Sequence, residues 1–333
     1  MTAAAAPAGA VSVSEALRAR QVVGRYLRPT PLAGYTALSR ALGAQVWVKH
    51  ENHNPAGSFK LRGGLNLVSR VLAQGVKGVM TFSTGNHGLS IATAGHWLGL
   101  PAAIVLPCNA NPVKKQAIRD CGAELIEVGE NFDAAARATG ELCQERGYYL
   151  AHPCNDALLI NGVATEFLEI LEAQPDVEVV IVPLGGGSEA AAAVAMLRAL
   201  KPDVEVIAVQ AGQSPAAYNS WQAGRICEAP NHTFAGGVAT GQAYPVPFGI
   251  YKDGLADFVL LSEDEIYEGI ALAGHYTHNL VEGAGALPLM AAFKLRSRLQ
   301  GKKVVLQMSG CNASPEEIRQ ALQRPAFQDG FAG

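Results

Sequence analysis

Lys60 lies in the run Asn54-Pro55-Ala56-Gly57-Ser58-Phe59-Lys60-Leu61-Arg62-Gly63, between a small-residue turn and an apolar ring. Such neighbours are poor for a solvated surface lysine and good for an amine that must be partly desolvated. Burial favours the neutral form, and a neutral amine can form a Schiff base with a carbonyl. Alone, Lys60 reads as an ordinary lysine in a first helical turn. Three other segments change that reading: Ser83-Thr84-Gly85-Asn86-His87-Gly88, Leu184-Gly185-Gly186-Gly187-Ser188 and Ser309-Gly310-Cys311-Asn312.

In the second of these, glycines let successive N–H groups converge on an anion. The helix that follows adds positive potential, and Ser188 can add a hydroxyl bond or cap that helix. Asn86 can donate to a phenolic oxygen beside a carbonyl carbon, or it can be a plain turn asparagine. His87 reads as a hydrogen-bonded structural histidine before it reads as a general base. Ser309 offers a neutral partner to a ring nitrogen, and that choice leaves the nitrogen largely unprotonated. An amine, an anion cradle, a donor for O3′ and a ring-nitrogen partner are together what pyridoxal 5′-phosphate (PLP) demands.

The elements that must position these groups alternate between β-rich and amphipathic helical runs. Strands are expected at Gln45–Lys49, Gly78–Thr81, Ala102–Leu106, Glu124–Val128, Val177–Pro183, Glu205–Gln210, Phe258–Leu261 and Lys303–Gln307. Helices are expected at Lys60–Gln74, Gly88–Leu98, Pro112–Cys121, Asn131–Arg146, Ile160–Ala173, Ser188–Leu200, Glu263–Asn279 and Gly285–Arg298. This order implies an α/β fold of parallel or mixed sheets flanked by helices. No long linker divides the chain, so two lobes are expected, with residues 1–55 and 152–333 forming a large cofactor-binding domain and 56–151 a small one. The four chemical segments then all fall at strand ends. With the chain running only a short way beyond Asn312, no appended regulatory domain is expected.

Composition excludes several other functions. The chain has 333 residues, 49% of them hydrophobic, and a net charge of −3. Nothing here suggests nucleic acid as a partner. Met1–Ala10 reads as a disordered tail rather than a signal peptide, and no apolar run reaches membrane-spanning length. The six cysteines show no Cys-x-x-Cys spacing, consistent with reduced thiols in the cytoplasm.

With these residues in hand, the chain resembles the fold-type II PLP enzymes, a two-lobed, tryptophan-synthase-β-like architecture, and within them the serine/threonine dehydratase and serine racemase group. The resemblance runs from about Val13 to Leu322. It implies that Lys60 is the Schiff-base lysine, with Phe59 beside the cofactor, and that Gly185, Gly186, Gly187 and Ser188 bind its phosphate. It also implies that Asn86 binds O3′, that Ser309 binds the pyridine nitrogen and that Glu282 lies near the ring. Ser83, Thr84, Gly85, Asn86 and His87 would surround the substrate carboxylate. The implied reaction is loss of the β-hydroxyl from a threonine, serine or 3-phenylserine type of amino acid, giving a 2-keto acid and ammonia in amino-acid catabolism. Lys60 would be both anchor and base. A homodimer is the family precedent.

The chain departs from that pattern at several places. Thr84 stands where racemases of the group carry a serine; its hydroxyl can transfer a proton, but its methyl restricts the rotamer. Gln210 and Ala216 replace two carboxylates of the family's divalent-cation site, so no metal is expected, although a monovalent ion remains compatible. Gly236 replaces an acidic residue beside the substrate, which leaves room for a β-substituent as large as phenyl or for a neighbouring side chain. Cys311 replaces a glycine, with no functional reading. The alternatives to a dehydratase are an amino-acid racemase and a β-replacement synthase. A non-catalytic PLP or amino-acid sensor would need the lysine or the carboxylate loop lost, and both are intact.

Overall fold

The run Val179-Val180-Ile181-Val182-Pro183 is buried at every position, the pattern of a parallel strand covered on both faces. A computed structural model describes residues 11–83, 85–108, 112–130 and 132–328. The tail expected at Met1–Ala10, the substrate contact expected at Thr84 and the helix start expected at Asn131 therefore lie outside the described residues.

Ten strands are described: β1 Leu32–Gly34, β2 Gln45–Lys49, β3 Val79–Phe82, β4 Ala102–Leu106, β5 Glu124–Glu127, β6 Tyr149–Leu150, β7 Val179–Pro183, β8 Glu205–Ala211, β9 Asp257–Leu261 and β10 Lys303–Gln307. The chain forms two compact units. The first comprises residues up to Arg28 and Phe59–Thr165, and the second Pro29–Ser58 and Glu166 onward. This division differs from the expected 1–55, 56–151 and 152–333. Helix Val13–Val23 packs on helices Lys60–Ala73 and Ala157–Val163 and so belongs to the first unit.

The first unit holds a four-stranded sheet in the order β5-β4-β3-β6, parallel throughout. The second holds a six-stranded sheet in the order β1-β2-β10-β7-β8-β9, parallel except for β1 against β2. The expected α/β class with parallel and mixed sheets is the one observed. In each sheet the strand order reverses at one point. From β3, strands β4 and β5 lead one way and β6 returns on the other side. From β7, strands β8 and β9 lead one way and β10 returns. Ligands of open α/β sheets bind beyond the carboxyl ends of strands at such points. Those ends carry Ser83–Asn86 after β3, Leu184–Ser188 after β7 and Ser309–Asn312 after β10.

Local chemistry sets the helix ends. Ser262 accepts from the Glu265 N–H while the Glu265 carboxylate accepts from the Ser262 N–H, a complete capping box. Asp156 accepts from the Leu158 N–H at 2.8 Å and starts Ala157–Val163. The single helix expected over 160–173 is two, Ala157–Val163 and Thr165–Ala173, and that expected over 285–298 is Gly283–Lys294 followed by Arg296–Leu299. No helix among the described residues is long and apolar enough to cross a membrane.

Candidate active site

In the first unit, Lys60 opens helix Lys60–Ala73 directly after Phe59, which is 8% exposed. The ammonium lies 4.9 Å from the Phe59 ring centroid, and Nζ donates to the Pro153 carbonyl at 3.0 Å. The Ser90 hydroxyl donates to the Lys60 carbonyl at 2.6 Å and ties this turn to helix Asn86–Leu98. That helix begins at the end of β3 with Gly85 as its N-cap. Asn86 and His87 are its first two residues, and the Gly85 N–H donates to the Ser83 hydroxyl at 3.3 Å.

The titratable groups around the amine are held uncharged. His87 is buried and its Nε2–H donates to the Ala151 carbonyl at 2.9 Å. Burial, followed by the positive charge of Lys60, pushes it down to about 3. His152 accepts at Nδ1 from the N–H groups of Cys154 and Asn155. The same two causes lower it to about 4. Burial raises the Cys154 thiol to about 12. In its neutral form His87 has a bare lone pair at Nδ1, and that buried atom has no hydrogen-bond partner among the described residues.

In the second unit, Gly187 is the N-cap of helix Ser188–Leu200 and takes φ 90°, in the left-handed region that glycine occupies without strain. A Cβ at Gly185 would fall 2.6 Å from the Gly237 carbonyl oxygen, so only glycine lets these backbones meet. The thirteen-residue helix aims its N-terminal N–H groups and positive dipole end at this turn, an arrangement suited to a phosphate dianion. Ser188 is buried beside it. The adjacent strand β10 delivers Ser309, buried, whose hydroxyl donates to both carboxylate oxygens of Glu189 at 2.9 Å. The Glu282 N–H donates to the Gly310 carbonyl at 3.3 Å. Ser58 pairs with Gly310 as an isolated bridge. Among the described residues, no atom lies within 4 Å of where a Cβ on Gly236 would be.

Residues 58, 185–188, 236–237, 282 and 309–310 thus gather in the second unit, while 59, 60, 83, 86 and 87 gather in the first. Sequence reasoning missed the segment His152-Pro153-Cys154-Asn155, because β6 is only two residues long and leaves no alternating pattern to read. It also missed Glu189. The available signal was a lone acid, right after the glycine turn, opening a run of four alanines. At the other departures, the Gln210 side-chain oxygen accepts from the Tyr218 N–H at 3.0 Å. Cys311 Sγ donates to the Asn52 carbonyl at 3.3 Å.

A half-buried lysine, a glycine turn at a helix N-terminus and a serine on the strand next to that turn are features a PLP-type centre would use. The family described as pyridoxal-phosphate dependent enzyme matches residues 23–310. The chain belongs to that family, and its cofactor is PLP. It is 36% identical over 300 residues to an L-threonine ammonia-lyase of Geobacter sulfurreducens, covering 90% of this chain and 75% of that protein. It is 32% identical to an L-threonine ammonia-lyase of Thermotoga maritima, covering 96% and 80%. Among solved structures, it is similar to maize serine racemase, with a TM-score of 0.88, 26% identity and coverage of 94% and 97%. It is also similar to the processed form of threonine deaminase isoform 2 from Solanum lycopersicum, with a TM-score of 0.86, 27% identity and coverage of 93% of each chain.

Proposed function

We propose that the protein is an ammonia-lyase that removes the β-hydroxyl of a β-hydroxy-L-amino acid and yields a 2-keto acid and ammonia. The observation that carries this reading is the surrounding of Lys60: an amine on an aromatic ring, ringed by two neutral imidazoles and a neutral thiol. The names of the two ammonia-lyase relatives support the same chemistry.

When bound, PLP supplies the electron sink for a negative charge developing at the substrate Cα. Lys60 Nζ would hold the cofactor covalently and, when freed by the substrate amine, would take the Cα proton. The N–H groups and hydroxyl of 185–188 hold the phosphate. Asn86 would donate to O3′, Ser309 would face the pyridine nitrogen, and Phe59 and Glu282 would lie beside the ring. The backbone N–H groups opening helix Asn86–Leu98, that of His87 among them, would take the substrate carboxylate together with the Ser83 hydroxyl. The proton that Lys60 takes from Cα can pass to the β-hydroxyl, which then leaves as water with the electron pair of the broken Cβ–O bond. The released enamine then tautomerises and hydrolyses in solution.

The open space at Gly236 favours a large β-substituent, and 3-phenylserine is the substrate that would use it. Racemisation is the second reading, favoured by the likeness to maize serine racemase. A homodimer in the cytoplasm completes the proposal. The test is 2-keto acid formation from L-threonine, L-serine and L-threo-3-phenylserine, compared as kcat/KM in the wild type and in Lys60→Ala. The account expects keto acid from at least one substrate and a loss of about 10²-fold or more in the variant. Keto acid formation unchanged in the variant, or none from any substrate in the wild type, would end it.

A further inference from the structure

Ser309 is not a free hydroxyl. Its Oγ stands 2.9 Å from both oxygens of Glu189, and the Gln307 amide donates to one of them at 3.3 Å. None of the three residues is more than 3% exposed. The position of Glu189 is built in: it lies in the first turn of helix Ser188–Leu200, where the helix dipole favours a negative side chain. Helix and serine leave the ends of β7 and β10, neighbours in the sheet.

A serine hydroxyl has one hydrogen and two lone pairs. Here the hydrogen goes to the carboxylate, so toward any third group Oγ offers lone pairs only. A group facing it must then bring its own hydrogen. We propose that Glu189 fixes Ser309 as a hydrogen-bond acceptor and thereby holds the pyridine nitrogen of PLP in its protonated form. This rests on the reading above that Ser309 faces that nitrogen. It reverses the expectation that a neutral serine leaves the nitrogen unprotonated: the serine is neutral, but a buried carboxylate stands behind it. Glu189 thus acts as a positioning residue, through its hydrogen bonds with Ser309. A protonated ring withdraws electrons more strongly, so Glu189 sets how acidic the substrate Cα–H becomes.

The test is the ¹⁵N resonance of enzyme reconstituted with PLP labelled at the pyridine nitrogen. It is recorded for the wild type, Glu189→Gln and Glu189→Leu, with the bound cofactor's visible absorbance as a check of the lysine linkage. The wild type is expected at the pyridinium position. Glu189→Leu frees the Ser309 hydrogen and is expected to shift the resonance to the unprotonated position while the lysine-linked absorbance persists. Glu189→Gln, which keeps an acceptor but removes the charge, is expected between them. A wild-type resonance at the unprotonated position overturns the proposal even if neither variant folds. So does a pyridinium resonance unchanged in both variants. Failure of the wild type to bind labelled PLP or to show the lysine-linked absorbance would instead sink the assignment of the cofactor site itself.

Discussion

Gly236 and the two histidines near Lys60 show what single residues decide. Space beside Gly236 is open and its φ is not in the left-handed region, so a side chain can be added there without backbone strain. Gly236→Leu should therefore change thermal stability little. It should lower kcat/KM for L-threo-3-phenylserine about tenfold or more relative to L-threonine, the scale at which filling an apolar pocket discriminates. Equal loss on both substrates would separate Gly236 from specificity. His87 and His152 stay neutral in the folded protein down to about pH 3 and 4, against 6.5 for an ordinary imidazole. Between those limits the unfolded chain binds more protons, so unfolding free energy falls as pH drops from about 6.5 toward 4. The loss should be on the order of a few kcal/mol. Urea titrations at pH 7.5 and 4.5 read it, and His87→Asn should make the dependence shallower; an unchanged slope would contradict the assignment. Residue types pointed to most of the candidate site. Lys60, the glycine turn and Ser309 were legible because each has a strong chemical signature. Glu189 was hidden, since a glutamate in a first helical turn reads as a solvated cap until burial shows otherwise.

At the scale of elements, the loops at strand ends do the positioning, and their backbones are what substitution tests. A Cβ on Gly187 would meet the Tyr251 ring at 2.9 Å from a φ of 90°. Gly187→Ala should cost about 1–3 kcal/mol of stability and weaken PLP binding, read by thermal unfolding and cofactor titration. Gly99 also caps a helix with positive φ, but among the described residues nothing lies within 4 Å of its Cβ position. Gly99→Ala should lose stability with no change in PLP affinity, and equal loss of affinity in both would contradict the cradle. The central strands were legible because burial on both faces forces continuous apolar runs, as in Ala102–Leu106 and Val179–Pro183. Short pieces such as β1, β6 and the helices Thr36–Leu42 and Ala216–Ala223 were not. Elements this short span too little of a period to stand out, and tertiary contacts decide them.

At the scale of the whole chain, the α/β class followed from the alternation of elements, whereas the boundaries of the two units did not. Helix Val13–Val23 belongs with distant Lys60–Ala73 and Ala157–Val163 because they bury one another, a pairing that no local pattern announces. The central claim is that the protein as a whole carries one PLP, on Lys60. Borohydride reduction of the holoenzyme, followed by proteolysis and mass spectrometry of the lysine peptides, tests it most directly. The account predicts one pyridoxyl group per chain, on the peptide containing Lys60, with none on the buried lysine Lys49. A pyridoxyl group on any other lysine, or on none, would contradict it.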